Sequence, residues 1–512
     1  MCGILVVVNK TRAVDVKKIE NAGKLMQHRG PDCFGLNIIS NNVVMTHNRL
    51  AIIDLNNRSN QPFVKNDLCL VYNGEIYNYK ELIKEHDLKT NTASDTEVLL
   101  LMYEKYKEAC LDYLNGMFGF AVYDLKKKEL FVARDRLGVK PLYFSKTRDG
   151  IVIASEIAPI LELIDDKSVD DFGIRQYRKL RMTVKGDTVY KNIKFFPAGH
   201  YYSSGCFHKY WDIDFSPKEP PSDEQLKALI IDACRIRKRA DVAVGSYLSG
   251  GLDSTILSYI LKPEFTWTVG FEQLNEFMWA SLANRQLNSK HIQIIVSEEE
   301  FISTAEKMIK KRKEPLCVPN EVLIYLMTRK VKTENTVVLS GEGADELFWG
   351  YDRIFKWAEK ADQLQIEDFD KYYCYGSEAD DEVIDYAISG LPGYNPLEKI
   401  AYFFQVHHLH GLLRRLDNST MLCSVEARVP FTDYRLVEMM AGTSFLWKMN
   451  GTVKLPLKRV FEDLIPKSII ERNKVGFPVP LDSIFRNKYK KVKKPFDKWA
   501  SFNIETLIKE LT

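Results

Sequence analysis

The rhythm of hydrophobic and polar positions changes part-way along this 512-residue chain. Residues 3–8 form a short β-branched apolar run, and apolar residues from Val16 to Met26 recur at helical spacing. From Asn42 to about Glu156 short extended runs dominate: 43–45, 68–72, 118–123, 129–133 and 151–154. One clear long helix, Thr96 to Tyr106, interrupts them, so a layered sheet protein with few helices is expected. The Pro-rich stretch Ser216–Pro221 then punctuates the chain.

Beyond it, strand-like Asp241–Leu248, Phe265–Phe271, His291–Val296 and Thr336–Ser340 alternate with helical stretches. That alternation predicts a parallel sheet covered on both faces. From about residue 352 the pattern is mostly helical. The boundary falls near 205–222, giving two expected domains, 2–205 and 222–512. Their combined length also exceeds what one core ordinarily supports.

Composition adds exclusions. A formal net charge of +3, with 28% charged and 45% hydrophobic residues, suits a soluble enzyme and argues for no nucleic-acid or membrane partner. The lysine-rich stretch Asn487–Lys494 reads as a solvated surface. Nine scattered cysteines without a Cys-x-x-Cys pair fit a reducing compartment, with Cys33, Cys69, Cys110 and Cys423 expected as buried packing residues. No apolar run approaches the ~18 residues of a membrane span, and the first residues lack a signal-peptide layout. A cytoplasmic location is expected. His407-His408-x-His410 is expected on an ordinary helix face rather than at a metal.

Candidate chemistry begins at Met1-Cys2-Gly3-Ile4. Removal of Met1 would place an amine, with a pKa of roughly 7.7–8.0, beside the Cys2 thiol as its base. His28–Asp32, His47–Ile52, Tyr72–Asn78 and Ser94–Glu97 set polar groups beside apolar runs, where a pocket could form. Asn73-Gly74 offers a side-chain amide and a backbone N–H to an oxyanion. Arg49 could hold a carboxylate bidentately, and Asp95 an ammonium. Glutamine carries all the matching groups.

In the second half Leu248, Ser249, Gly250, Gly251, Asp253 and Ser254 lie between a strand and a helix. Two glycines let backbone approach phosphate, and the helix N-terminus favours its charge. No Gly-Lys-Ser/Thr follows, so this is not a Walker A loop. Ser340-Gly341-Glu342-Gly343-Ala344-Asp345 follows a second strand, where Asp345 and Asp253 could share Mg²⁺ with pyrophosphate oxygens.

The first series of motifs closely resembles the class II glutamine amidotransferases, an N-terminal nucleophile family with an α/β/β/α sandwich. The resemblance implies Cys2 as nucleophile, Asn73 and Gly74 as oxyanion hole, and Arg49, Glu75 and Asp95 as glutamine contacts. The second pair of loops resembles the ATP pyrophosphatases. It implies Leu248–Gly251 near the nucleotide, Val269-Gly270-Phe271 at adenine, and Ser340-Gly341 at the α-phosphate.

Fused, the two halves resemble the glutamine-hydrolysing, B-type asparagine synthetase family, supported by Ser424–Phe431, Lys454, and Arg472–Pro478. In that family Glu342 and Lys454 would lie near the adenylated intermediate. ATP with Mg²⁺, glutamine and aspartate are then expected, with ammonia crossing an internal tunnel, and a homodimer is reasonable. One departure touches the acceptor: Pro319 stands where bacterial members carry an arginine. A family member amidating another carboxylate, such as a sugar uronate, is the nearest rival. A non-catalytic sensor would not need Cys2, Asn73, Asp253 and Asp345 together.

Overall fold

The computed structural model describes residues 2–472 and 477–511, which leaves Asn473–Gly476 of the Arg472–Pro478 motif outside the described residues. The first half contains two six-stranded antiparallel sheets. One runs, in spatial order, Lys194–Phe195, Tyr143–Lys146, Gly150–Ala154, Gly3–Asn9, Val43–Arg49 and Cys33–Ser40. The other runs Cys206–Lys209, His200–Ser203, Glu129–Arg134, Gly116–Asp124, Leu68–Ile76 and Phe63–Lys65.

The strand Gly3–Asn9 explains the layering. Ile4 and Val6 join Val43, Met45, Cys69, Val71 and Ala121 in a layer between the sheets. Leu5 and Val7 instead join Ile19 and Ala22 of helix Val16–Lys24. Both faces are therefore buried, which is why the run carries no polar alternation. Helices Val16–Lys24 and Ile157–Leu163 pack together on this sheet, and Asp95–Tyr106 covers the other. The result is the expected α/β/β/α sandwich. Asp15 caps the first helix through the Lys18 N–H, and Ser94 caps the third through the Thr96 N–H.

The second half holds a five-stranded parallel sheet in the order Lys290–Val296, Phe265–Phe271, Val244–Tyr247, Val337–Leu339 and Glu426–Arg428. The chain builds outward from Val244–Tyr247 on one side, then returns to add Val337–Leu339 on the other. The crevice between these two strands is the topological switch point, where open α/β sheets collect ligands. The fifth strand was not anticipated. Its Glu426 and Arg428 are both fully buried and pair with each other, so a strand hides behind a polar sequence.

From Asp352 onward helices predominate. The histidine segment departs from the ordinary helix face expected of it. Phe403–His408 forms a π-helical stretch running into helix Leu409–Met421. His408 is buried within hydrogen-bonding distance of the Tyr373 hydroxyl at 3.0 Å, and Arg134 donates to His410 at 2.9 Å. Cys69 and Cys110 are buried as expected, whereas Cys33 and Cys423 lie near the surface and are only half-buried. No helix among the described residues is long and apolar enough to cross a membrane.

Candidate active sites

Cys2, 7% exposed, immediately precedes the central strand of the first sheet. Its backbone N–H donates to Oδ1 of Asn73, on the second sheet, at 3.0 Å. That bond ties the sheets together and orients the amide. The Asn73 Nδ2 is buried without a hydrogen-bond partner among the described residues, a donor held ready beside the thiol-bearing residue. Gly74 stands opposite Phe118, whose own N–H and C=O both engage Asp135. The Gly74–Phe118 pair is thus of the non-hydrogen-bonded kind, and the Gly74 N–H faces away from that strand. Burial pushes the Cys2 thiol up, against the pull of the chain's amino group, the Leu50 N–H and Arg49.

The other expected glutamine contacts gather in the same region, in arrangements the sequence does not specify. Arg49 donates to Asn56 O at 2.8 Å, to Asn60 Oδ1 at 2.7 Å and to Asp54 O, so its guanidinium braces the loop that follows it. Asp95 accepts from the Tyr72 hydroxyl and the Ile76 N–H, both at 2.9 Å. No Arg49–Asp95 ion pair is present among the described residues, so the two are not a structural pair. Glu75 lies 3.4 Å from Arg428 of the second half, and its Oε2 has no hydrogen-bond partner. Burial, reinforced by Glu426, pushes the Glu75 carboxyl well above its ordinary range. His47, beside them, is held neutral by burial at a pKa of about 3.

At the switch point the Ser249–Ser254 loop is tied by its own hydroxyls. Ser254 Oγ accepts from the Ser249 N–H at 3.3 Å, and Ser249 Oγ from the Gly251 N–H at 3.2 Å. Gly250 has φ of 75°, and a Cβ there would stand 2.3 Å from the Trp279 backbone carbon, so no other residue fits. A side chain at Gly341 would meet Asp253 Cβ at 3.0 Å, so the two loops touch. Val269 is buried in the neighbouring strand, Ser340 is 7% exposed at its strand end, and Leu248 is fully buried. Lys454 Nζ sits 2.5 Å from Asp253 Oδ2 and 2.7 Å from Asp345 Oδ1. Burial works against this ammonium, but the two carboxylates outweigh it and hold its proton more firmly than in an ordinary lysine. The paired hard oxygens suit a Mg²⁺ that arrives with substrate phosphates, provided Lys454 yields part of its place.

One helix joins the sites. On Leu409–Met421, Asp417 accepts from Arg29 at 2.8 Å and from Lys140 at 3.3 Å. Two residues earlier Arg415 donates to Asn320 Oδ1 at 3.0 Å and pairs with Glu342. Arg29 in turn donates to the Cys2 carbonyl at 3.0 Å and to Glu156 at 3.1 Å. Sequence reasoning assigned no role to Arg29, Arg415, Asp417, Glu426 or Arg428. The local signals were the His28–Asp32 motif that contains Arg29 and the charge alternating with apolar residues in Val425–Val429.

Comparison with known proteins agrees with this two-part geometry. A glutamine amidotransferase domain model matches residues 1–211, and an asparagine synthase model matches residues 225–497. The chain is 30% identical to asparagine synthetase [glutamine-hydrolyzing] 1 of Bacillus subtilis, over 95% of this chain and 88% of that protein. It is 29% identical to asparagine synthetase B of Escherichia coli, over 93% and 82% respectively. An asparagine synthetase of Sandersonia aurantiaca is likewise 29% identical, over 93% and 86%. With a buried cysteine against an amide donor in one half and paired phosphate-type loops in the other, the chain belongs to the asparagine synthase family and carries a glutamine amidotransferase domain ahead of the synthase domain.

Proposed function

We propose that this protein makes asparagine from aspartate, glutamine and ATP, with glutamate, AMP and pyrophosphate as the other products. The thiolate of Cys2 attacks the glutamine side-chain amide, and Asn73 Nδ2 with the Gly74 N–H receive the oxyanion. The amide C–N bond breaks as the leaving nitrogen takes the proton that the Cys2 amine drew from the thiol, ammonia departs, and water hydrolyses the thioester to glutamate and the free thiol. Arg49, Glu75 and Asp95 hold the glutamine. In the other half the β-carboxylate of aspartate attacks the α-phosphorus of ATP, and pyrophosphate departs. Ammonia then adds to the acyl carbon, loses a proton to Glu342, and displaces AMP.

Leu248, Ser249, Gly250, Gly251 and Ser254 cradle the phosphates, Ser340 and Gly341 face the α-phosphate, and the strand end at Val269 borders the adenine. Asp253 and Asp345 would hold Mg²⁺, which when bound neutralises charge on the pyrophosphate as it leaves. Lys454, already between these carboxylates, steadies the same charge.

The observation that carries this reading is the bridging helix. Asp417 fixes Arg29 against the Cys2 carbonyl while Arg415 holds Glu342, so the thiol and the phosphate loops are built around one element. A cytoplasmic homodimer using an internal ammonia tunnel is part of the proposal, on family resemblance. The decisive assay supplies glutamine, ATP–Mg and aspartate and follows asparagine. C2A should abolish synthesis from glutamine and spare synthesis from ammonium salts. Glutaminase activity without any asparagine would sink the choice of acceptor, and loss of both activities in C2A would sink the two-site scheme.

A further inference from the structure

A cavity of about 410 Å³ opens beside the bridging helix, of a size that holds a small ligand with room to spare. Pro319, the position where the sequence withholds a cation, lines it. Among the described residues three cations nevertheless line it as well, Arg181, Arg415 and Lys494, and no carboxylate does. Arg415 reaches from this wall to Glu342 of the phosphate loop, so the cavity adjoins the place where an acceptor carboxylate would be activated. Lys494 lies exposed at the mouth.

Arg181 is the unexplained member. It belongs to the first half of the chain, closing helix Asp171–Leu180 in the left-handed region with φ of 66°. Its guanidinium lies 4.2 Å over the Tyr375 ring, and one terminal nitrogen is 3.1 Å from His408 Nε2. The π-helical stretch Phe403–His408 delivers that histidine, and such turns recur at functional sites. Arg181 Nε is buried without a hydrogen-bond partner, and no ion pair to a carboxylate is made by Arg181 among the described residues. Behind His408, the Glu346 carboxylate lies 3.7 Å from the same Nε2. A guanidinium stacked on Tyr375 and set against His408, with no ion pair of its own and facing a cavity without a lining carboxylate among the described residues, is arranged for an anion from outside the chain.

We propose that Arg181 binds the acceptor's second carboxylate, the one that is not activated, and so supplies from the first domain the cation that Pro319 does not. This rests on the acceptor site proposed above. The pocket then recognises a dicarboxylate, with aspartate as one member of the class. Because no lining carboxylate meets an ammonium, the remote anion carries recognition.

The test is acceptor-dependent pyrophosphate release with saturating ammonium chloride. R181Q should raise the KM for aspartate about tenfold or more while the KM for ATP stays within about twofold, and R181K should recover part of the loss. Glutamine hydrolysis by the same preparations reports that the chain is folded. An unchanged aspartate KM in R181Q overturns the assignment. Should the unaltered enzyme release no pyrophosphate with aspartate, the asparagine reading falls. Calorimetric titration of aspartate and succinate into enzyme holding a non-hydrolysable ATP analogue then decides Arg181. Binding lost in R181Q supports the assignment, and binding equal in both proteins, or absent from the unaltered one, refutes it.

Discussion

Replacing Asp417 by asparagine should destabilise the whole chain as well as slow its thiol chemistry. Asp417 is 4% exposed and receives two cations, Arg29 at 2.8 Å and Lys140 at 3.3 Å, each itself nearly fully buried. At an effective dielectric of ~20 these distances correspond to about 5–6 kcal/mol of attraction per pair before desolvation is charged against them. Most of that is offset by desolvation, but removing the shared anion leaves, among the described residues, Arg29 with Glu156 alone and Lys140 with no ion-pair partner. A buried pair broken from one side costs about 3–5 kcal/mol.

D417N should therefore lose about that much in urea unfolding followed by tryptophan fluorescence. K140M should lose less, because Asp417 keeps Arg29. The double variant K140M/D417N should be more stable than D417N alone by ~1 kcal/mol or more, since the orphaned ammonium is gone. Glutaminase kcat should fall in D417N, because Arg29 also fixes the Cys2 carbonyl. A D417N loss under ~1 kcal/mol would refute the reasoning, since it would mean that water or rearrangement satisfies both cations at no cost.

Three further outcomes follow from the geometry. N73A should lower glutaminase kcat by about 10²–10³, the usual effect of losing one oxyanion donor, while ammonium-dependent synthesis persists; equal loss of both would remove Asn73 from that role. G250A should abolish ATP-dependent pyrophosphate release while glutamine hydrolysis continues, because its Cβ would press on the Trp279 backbone; ordinary ATP turnover in G250A would contradict the tight turn. Glu156, despite burial, is held at about 2 by His28 and Arg29, below the carboxylate's usual 4.5. Its contribution, up to ~3 kcal/mol, is complete above about pH 4.5 and is lost as pH falls towards 2. E156Q should flatten the acid limb of a stability-versus-pH curve, and an unaltered limb would assign acid sensitivity elsewhere.

The sequence determined those features that depend on local pattern. Unbroken apolar residues at 3–8 and strands alternating with helices after residue 240 specify two sheet types, because burial of one face or both is written in side-chain period. Cys2, Asn73-Gly74 and the two glycine-bearing loops were legible for the same reason: each needs particular residue types within a few positions. Strand Glu426–Arg428 was not legible, since its charges meet each other and Glu75, some 350 residues away, only in the folded chain. Nor could local pattern reveal that Lys454 lies between Asp253 and Asp345, or that Arg49 gives three hydrogen bonds to its own loop. Asp417 and Arg181 acquire their partners only when the first sandwich docks on the second half, and Arg415 meets Glu342 only when its helix packs beside the phosphate loop. Electrostatic partnership depends on distance in space and on exclusion of water, and neither quantity is encoded in the spacing of residues along the chain.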